Sequence, residues 1–313
     1  MKSRELERIG EGIGNTPLRE VPTMARLLGV PRLFLKLESS NPSGVQKDRA
    51  ALAIVRDAMV RRWPGLTLGS CGNLGVAVAR LARRVGFETT VFVPSRYRSA
   101  RIDEIEQCGA KIIRPHGGYE DAVLESSRYA RETGLYDANP IGPGGDASME
   151  AYERIAGEIK EELGEWPDSI WVSVGNGTTL AGIGRGVLKQ SQGRHKRPRL
   201  SGAGSVGNTA AVRSFLDGAV VELDPGQIRE RPENEPLLNW RSYHAKEALE
   251  VVQATEGTGH EVSDIELVEM AQLLAARERI RALPAACAAM VGLCRAIEDG
   301  RDRPGTHVVV LTG

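Results

Sequence analysis

Short apolar runs alternate with stretches of helical spacing from one end of the chain to the other. Residues 33–37, 66–68, 89–93, 111–114, 169–174, 199–203 and 307–311 are compact apolar or β-branched runs bounded by polar and turn residues, and read as strands. Between them, apolar side chains recur at helical intervals. Leu52, Val55 and Met59 place one such stripe on 48–62, and Val78, Leu81 and Val85 place another on the segment after Gly75. Helices are likewise expected over 99–108, 119–132 and 148–163, with two more starting near Val262 and at Pro284. Strands that alternate with helices predict an α/β fold of three-layer α/β/α domains with mostly parallel sheets. The alternation breaks at Asn139-Pro140-Ile141-Gly142-Pro143-Gly144-Gly145, whose prolines and glycines read as a linker, and again over 222–240, where Pro225, Pro232 and Pro236 predict an irregular surface excursion. The linker separates a small domain, 41–138, from a large one made of 1–40 and 139–313.

A chain of 313 residues can bury two such cores. Its 41 lysines and arginines equal its 41 aspartates and glutamates, so no basic excess points to nucleic acid or to an anionic membrane surface. The one dense basic run, 194–199, reads as a solvated loop. The chain opens on charged residues and contains no run long enough to span a bilayer, so a cytoplasmic protein is expected. Cys71, Cys108, Cys287 and Cys294 form no CxxC pair, and the five histidines are scattered, so neither disulfides nor a metal site is expected.

Three stretches carry candidate chemistry. The turn Ser39-Ser40-Asn41-Pro42-Ser43-Gly44 delivers Lys47 to the start of a helix, an unusual place for a cation because the helix dipole is positive there. A lysine in that field should have a lowered pKa, and condensation with a carbonyl requires the neutral amine. Gly69-Ser70-Cys71-Gly72-Asn73-Leu74-Gly75 joins a strand to a helix and can converge N–H groups on an anion. Its glycine spacing resembles a dinucleotide fingerprint, and a nicotinamide-dependent dehydrogenase is the rival reading. Such a site wants an acid at the end of the next strand, where this chain has Val93-Pro94-Ser95, and Glu88 precedes that strand. Val174-Gly175-Asn176-Gly177-Thr178-Thr179 adds two hydroxyls to a second glycine-lined turn, suited to a phosphate monoester or to simple capping, and it lacks the lysine of a nucleotide-binding Walker loop.

Taken in order, N-P-S-G-V-Q-K-D-R, S-C-G-N-L-G, V-G-N-G-T-T and the terminal V-V-V-L-T-G resemble the fold-type II pyridoxal phosphate enzymes. The resemblance runs from Ile13-Gly14-Asn15-Thr16-Pro17-Leu18 to the last strand, and Leu238-Asn239-Trp240, Val262-Ser263-Asp264 and Leu283-Pro284-Ala285-Ala286 look most like the threonine synthase branch. It implies pyridoxal 5'-phosphate in the cleft between two domains, a small amino acid as substrate, and a homodimer. Lys47 would hold the cofactor covalently, be displaced by the substrate amine and then remove the Cα proton. Asn73 would bond the ring hydroxyl; Ser70, Cys71, Gly72 and Asn73 would receive the substrate carboxylate. Gly175, Asn176, Gly177, Thr178 and Thr179 would cradle the phosphate, and Thr312 would face the pyridine nitrogen. A neutral hydroxyl there makes a mild electron sink, suited to β- or γ-elimination or replacement.

The chain departs from that branch near the substrate. Gln46 stands where phenylalanine is usual, Cys71 replaces a hydroxyl residue, and Leu283 replaces an acid. Ser148 and Glu153 lie near the positions of an arginine and a lysine that hold the substrate phosphate of threonine synthases. An acid beside a dianion would be repulsive, which predicts a threonine-synthase-like lyase acting on a substrate other than phosphohomoserine. Threonine synthase itself and a catalytically silent amino-acid-binding paralogue are the alternatives.

Overall fold

The structure, a computed structural model, describes residues 8–70, 72–95, 97, 100–191, 196–302 and 304–313; Cys71, Arg194 and His195 lie outside them. Ten strands occur among the described residues: β1 (Leu18–Glu20), β2 (Arg32–Leu37), β3 (Gly65–Gly69), β4 (Glu88–Phe92), β5 (Lys111–Ile113), β6 (Tyr136–Asp137), β7 (Ser169–Ser173), β8 (Arg199–Ser205), β9 (Gly259–Val262) and β10 (Thr306–Leu311). They form two sheets. The four-stranded sheet has the order β5-β4-β3-β6 and is parallel throughout. The six-stranded sheet has the order β1-β2-β10-β7-β8-β9, parallel except where β1 runs antiparallel to β2. All five residues of β3 and of β7 are buried, as expected for parallel strands covered by helices on both faces.

The chain divides into two compact units. The first comprises the described part of Met1–Gly14 with Asn41–Ala151, and the second comprises Asn15–Ser40 with Tyr152–Gly313. In the first, Leu66 and Leu68 of β3 and Val91 of β4 meet Leu52 and Val55 of the Lys47–Val60 helix and Val78 and Leu81 of the Asn73–Arg84 helix. These are the apolar stripes read from the sequence. In the second, Leu33 and Leu35 of β2, Val309 and Leu311 of β10 and Trp171 of β7 pack with Met24, Leu274, Met290 and Leu293. No helix of the described residues is long and apolar enough to cross a membrane.

The segment expected as a linker is ordered structure in the first unit. A helix begins at Pro143 and runs to Leu163, five residues earlier than the spacing predicted. Proline is well tolerated in a first helical turn, which has no use for its missing N–H. Gly144 is required by contact: a Cβ there would come within 2.4 Å of the carbonyl carbon of Ala138. Asn139 is fully buried, accepting from Gly69 N at 2.6 Å and donating to Ser126 and Ser127 Oγ, each at 3.1 Å, and to Asp137 Oδ1 at 2.6 Å. It anchors the end of β3 from which the first glycine loop leaves.

In the second unit, Lys36 on β2 is completely buried. Its ammonium group meets Glu158 Oε2 at 3.0 Å, Glu162 Oε1 at 2.7 Å and the carbonyl of Thr16 at 2.5 Å. The same two glutamates, one helical turn apart, accept from the backbone N–H groups of Asn15 and Leu18, each at 3.0 Å. Thr16 Oγ1 donates to buried Glu38 at 2.7 Å. A buried cation is tolerable because every charge in the cluster has a partner.

Candidate active site

The first unit presents Lys47 as the first residue of the Lys47–Val60 helix. The loop before it is pinned at both ends. Asn41 Oδ1 accepts from Gly14 N at 2.9 Å, and the Asp48 carboxylate accepts from Ser43 N at 2.6 Å and Ser43 Oγ at 2.7 Å. The acid in the first turn therefore shapes the loop and leaves the adjacent lysine unpaired. Lys47 is half-buried, and among the described residues its amine has neither an ion-pair nor a hydrogen-bond partner. Burial lowers its pKa from 10.5 to about 8. The direction agrees with the expectation from the dipole, but the cause is lost hydration. Gln46, just before it, is half-buried and makes no capping bond.

The Gly69 loop opens the Asn73–Arg84 helix. Ser70 is buried, and its Oγ accepts from Gly75 N at 3.0 Å and Gly72 N at 3.4 Å, so this serine closes the turn as well as lining it. Both of its acceptor positions are used, which leaves its proton to donate. The N–H groups of Asn73 and Leu74 have no acceptor among the described residues. Asn73 and Gly72 are half-buried. Cys71, expected in the substrate site, lies outside the described residues.

The second unit carries the other loop. Gly177 has φ +78, a left-handed conformation, and a Cβ on it would sit 3.0 Å from the carbonyl oxygen of His244; a Cβ on Gly175 would sit 2.8 Å from that of Pro236. Neither position has room for a side chain. The N–H groups of Gly177, Thr178 and Thr179 have no acceptor among the described residues, as expected of the first donors of the Thr178–Gln190 helix. Three converging donors at a helix N-terminus, with no side chain in front of them, suit a phosphate. Asn176 faces the other way: its carbonyl accepts from Ser242 Oγ at 2.9 Å and His244 N at 3.3 Å. Thr178 Oγ1 lies 2.8 Å from His244 Nδ1, and Thr179 is buried with no side-chain partner among the described residues. Thr312, at the end of β10, is also buried with its hydroxyl uncommitted among them, and Leu283 N donates to the carbonyl of Gly313 at 3.1 Å.

Two residues expected near the substrate have partners of their own. Glu153 is turned onto the Thr178–Gln190 helix, where its carboxylate meets Arg185 Nε at 3.0 Å and Lys189 Nζ at 2.6 Å. Those partners stand about 10 and 16 Å along the helix from its first residue, at about 1.5 Å per residue. Its charge is neutralised there by two cations. Ser148 is equally committed, donating to the carbonyl of Gly144 at 2.6 Å. Asn139 and His244, which brace the two glycine loops, were not singled out from the sequence. Asn139 was hidden by the proline and glycines around it, and an isolated histidine 66 residues from its partner carries no local signal.

The first unit thus carries a lysine with a lowered pKa and a strand-to-helix turn with open N–H groups, and the second carries a glycine loop whose donors suit a phosphate. The pyridoxal-phosphate dependent enzyme family matches residues 9–313, and the chain belongs to that family. It is 29% identical over 303 residues to a threonine synthase of Bacillus sp. (strain ULM1), covering 96% of this chain and 82% of that one. Among solved structures, it resembles threonine deaminase isoform 2 of Solanum lycopersicum, with a TM-score of 0.79 and 16% identity over 99% of this chain and 82% of that one. It also resembles an L-serine ammonia-lyase of Rhizomucor miehei, with a TM-score of 0.78 and 22% identity over 96% and 93%. The cofactor is pyridoxal 5'-phosphate. The rival reading as a nicotinamide-dependent dehydrogenase falls with that membership.

Proposed function

We propose that this chain is a lyase or synthase that removes the Cα proton of a small amino acid and expels a substituent from Cβ or Cγ, with or without adding a nucleophile in its place. The observation that carries this reading is Lys47, an amine without a partner, held at about 8 by burial at the end of a braced loop. Bound pyridoxal phosphate supplies an electron sink that makes the Cα proton removable. Lys47 Nζ would hold the cofactor's aldehyde carbon until the substrate amine displaces it, and would then accept the Cα proton. Ser70 Oγ and the N–H groups of Asn73 and Leu74 would receive the substrate carboxylate, with Gly72 and Cys71 beside them, and the Asn73 amide would bond the ring hydroxyl. Gly175, Asn176, Gly177, Thr178 and Thr179 would receive the phosphate. Thr312, a neutral hydroxyl, would meet the ring nitrogen without holding a proton on it, which favours departure of a leaving group over transamination.

The substrate in this reading carries no phosphate of its own, because Ser148 and Glu153 offer it no cation. The pairing of Glu153 with Arg185 and Lys189 weakens the repulsion expected from the sequence, so threonine synthase activity is the second reading. Protein given pyridoxal phosphate should develop a visible band that Lys47→Ala abolishes, and should exchange the Cα proton of a small amino acid with deuterated water. A band that survives Lys47→Ala overturns the assignment. A band without Cα exchange for any amino acid would make the chain a silent binder, and phosphate release from phosphohomoserine with threonine formed would make it a threonine synthase. The same reading makes the protein a cytoplasmic homodimer, for which sedimentation should give twice the chain mass.

A further inference from the structure

We propose that His244 is a positioning residue for the cofactor phosphate, acting through Thr178; the inference rests on the reading of residues 175–179 as the phosphate loop. Thr178 Oγ1 and His244 Nδ1 are 2.8 Å apart, and the histidine is buried. A hydroxyl has one proton to give. If Thr178 donates it to Nδ1, only oxygen lone pairs remain to face the phosphate, and they repel it. If Nδ1–H donates to Oγ1, the Thr178 proton is left for the anion. The loop itself contains no lysine or arginine, so every donor it offers a phosphate is neutral and the direction of this one matters. The Ala245–Ala254 helix starts at the next residue, so His244 stands at its N-cap. A bound phosphate selects the Nδ1–H form, and that form in turn improves phosphate binding.

His244 also contributes to the loop through its main chain. His244 braces the loop through its backbone, with N donating to the carbonyl of Asn176 at 3.3 Å and its own carbonyl accepting from Ala248 N at 3.0 Å. Ser242 Oγ holds the same Asn176 carbonyl independently. Replacing the imidazole therefore leaves these main-chain and Ser242 bonds to the loop in place.

The test compares dissociation constants of pyridoxal 5'-phosphate and of pyridoxal, which lacks the phosphate, each read from the Lys47-dependent band. His244→Leu should weaken the phosphorylated form about 10- to 100-fold, the range of one charge-assisted hydrogen bond, and leave pyridoxal unchanged within about twofold. His244→Asn, whose amide can donate from nearly the same place, should restore most of the loss. Thr178→Val removes the same donor from the other side, should show the same selectivity, and serves if His244→Leu does not fold. In the Thr178→Val background His244→Leu should add little. Equal losses for the two compounds, or none for the phosphorylated one, would overturn the role of His244. A wild-type protein with no Lys47-dependent band for either compound would overturn the underlying reading itself.

Discussion

Lys47 should make the cofactor-free protein less stable, and replacing it should show this. Moving its pKa from 10.5 to about 8 means that the folded state disfavours the ammonium form. At about 1.4 kcal/mol per tenfold change in the proton equilibrium, the cost lies between about 3 and 4 kcal/mol, and water reaching the half-buried side chain trims it to about 2 kcal/mol. The sign follows from proton counts. Below about 8 the lysine is charged in both folded and unfolded states, and the full penalty applies. Between about 8 and 10.5 the unfolded chain holds the proton and the folded one does not, so stability rises with pH and the penalty fades. Lys47→Met keeps the length and removes the charge. At pH 7 it should raise the Tm of the cofactor-free protein by roughly 5 °C, at about 2–4 °C per kcal/mol for a unit of this size. Scanning calorimetry of both proteins from pH 7 to 10 would follow the difference, which should shrink steadily above pH 8. A Lys47→Met protein that is less stable at pH 7, or a difference independent of pH, would show that the amine is not held against its charge.

Other perturbations separate the remaining parts. Gly177→Ala forces a side chain into the left-handed region and against the His244 carbonyl; cofactor affinity should fall at least about tenfold, read by titration of the visible band. Asn139→Ala leaves buried Gly69 N without its acceptor and takes a donor from Ser126 and Ser127 Oγ, and should cost about 3 kcal/mol in denaturant unfolding, with little change if that network is dispensable. Glu153→Gln should lower stability by no more than about 1 kcal/mol and leave any response to a phosphorylated substrate unchanged; improved use of such a substrate would return the acid to the site.

Most of the secondary structure was legible because local pattern and tertiary burial coincide. Leu66 and Leu68 are core residues of a strand, and Leu52 and Val55 line the buried side of a helix, as their spacing required. What was missed has little local signal. β1 is the three-residue edge Leu18–Glu20 with one apolar side chain, and β9 is Gly259–Val262, with a glycine, a histidine and a glutamate among its four residues; both are strands because a neighbour supplies hydrogen bonds. The Pro143 helix start was misread because proline and glycine weigh heavily in any local count, whereas the close packing of Gly144 on Ala138 is visible only in three dimensions. For the candidate site, motif order singled out the lysine and both glycine loops. The sequence did not reveal which side chains are already committed: Ser70 to its own turn, Asp48 to Ser43, Glu153 to a neighbouring helix.

The clasp around Lys36 bears on how such chains can be recombined. Asn15-Thr16-Pro17-Leu18 contributes to the family likeness, yet its backbone is held by Glu158 and Glu162, which also neutralise Lys36. A chimera that keeps Lys36 but takes a helix without Glu158 and Glu162, or the reverse, would strand charge in this cluster, at about 3–5 kcal/mol for the buried Lys36–Glu158 pair. These segments are heritable only as a set, so crossover points for recombination should keep residues 15–36 and 158–162 from the same parent.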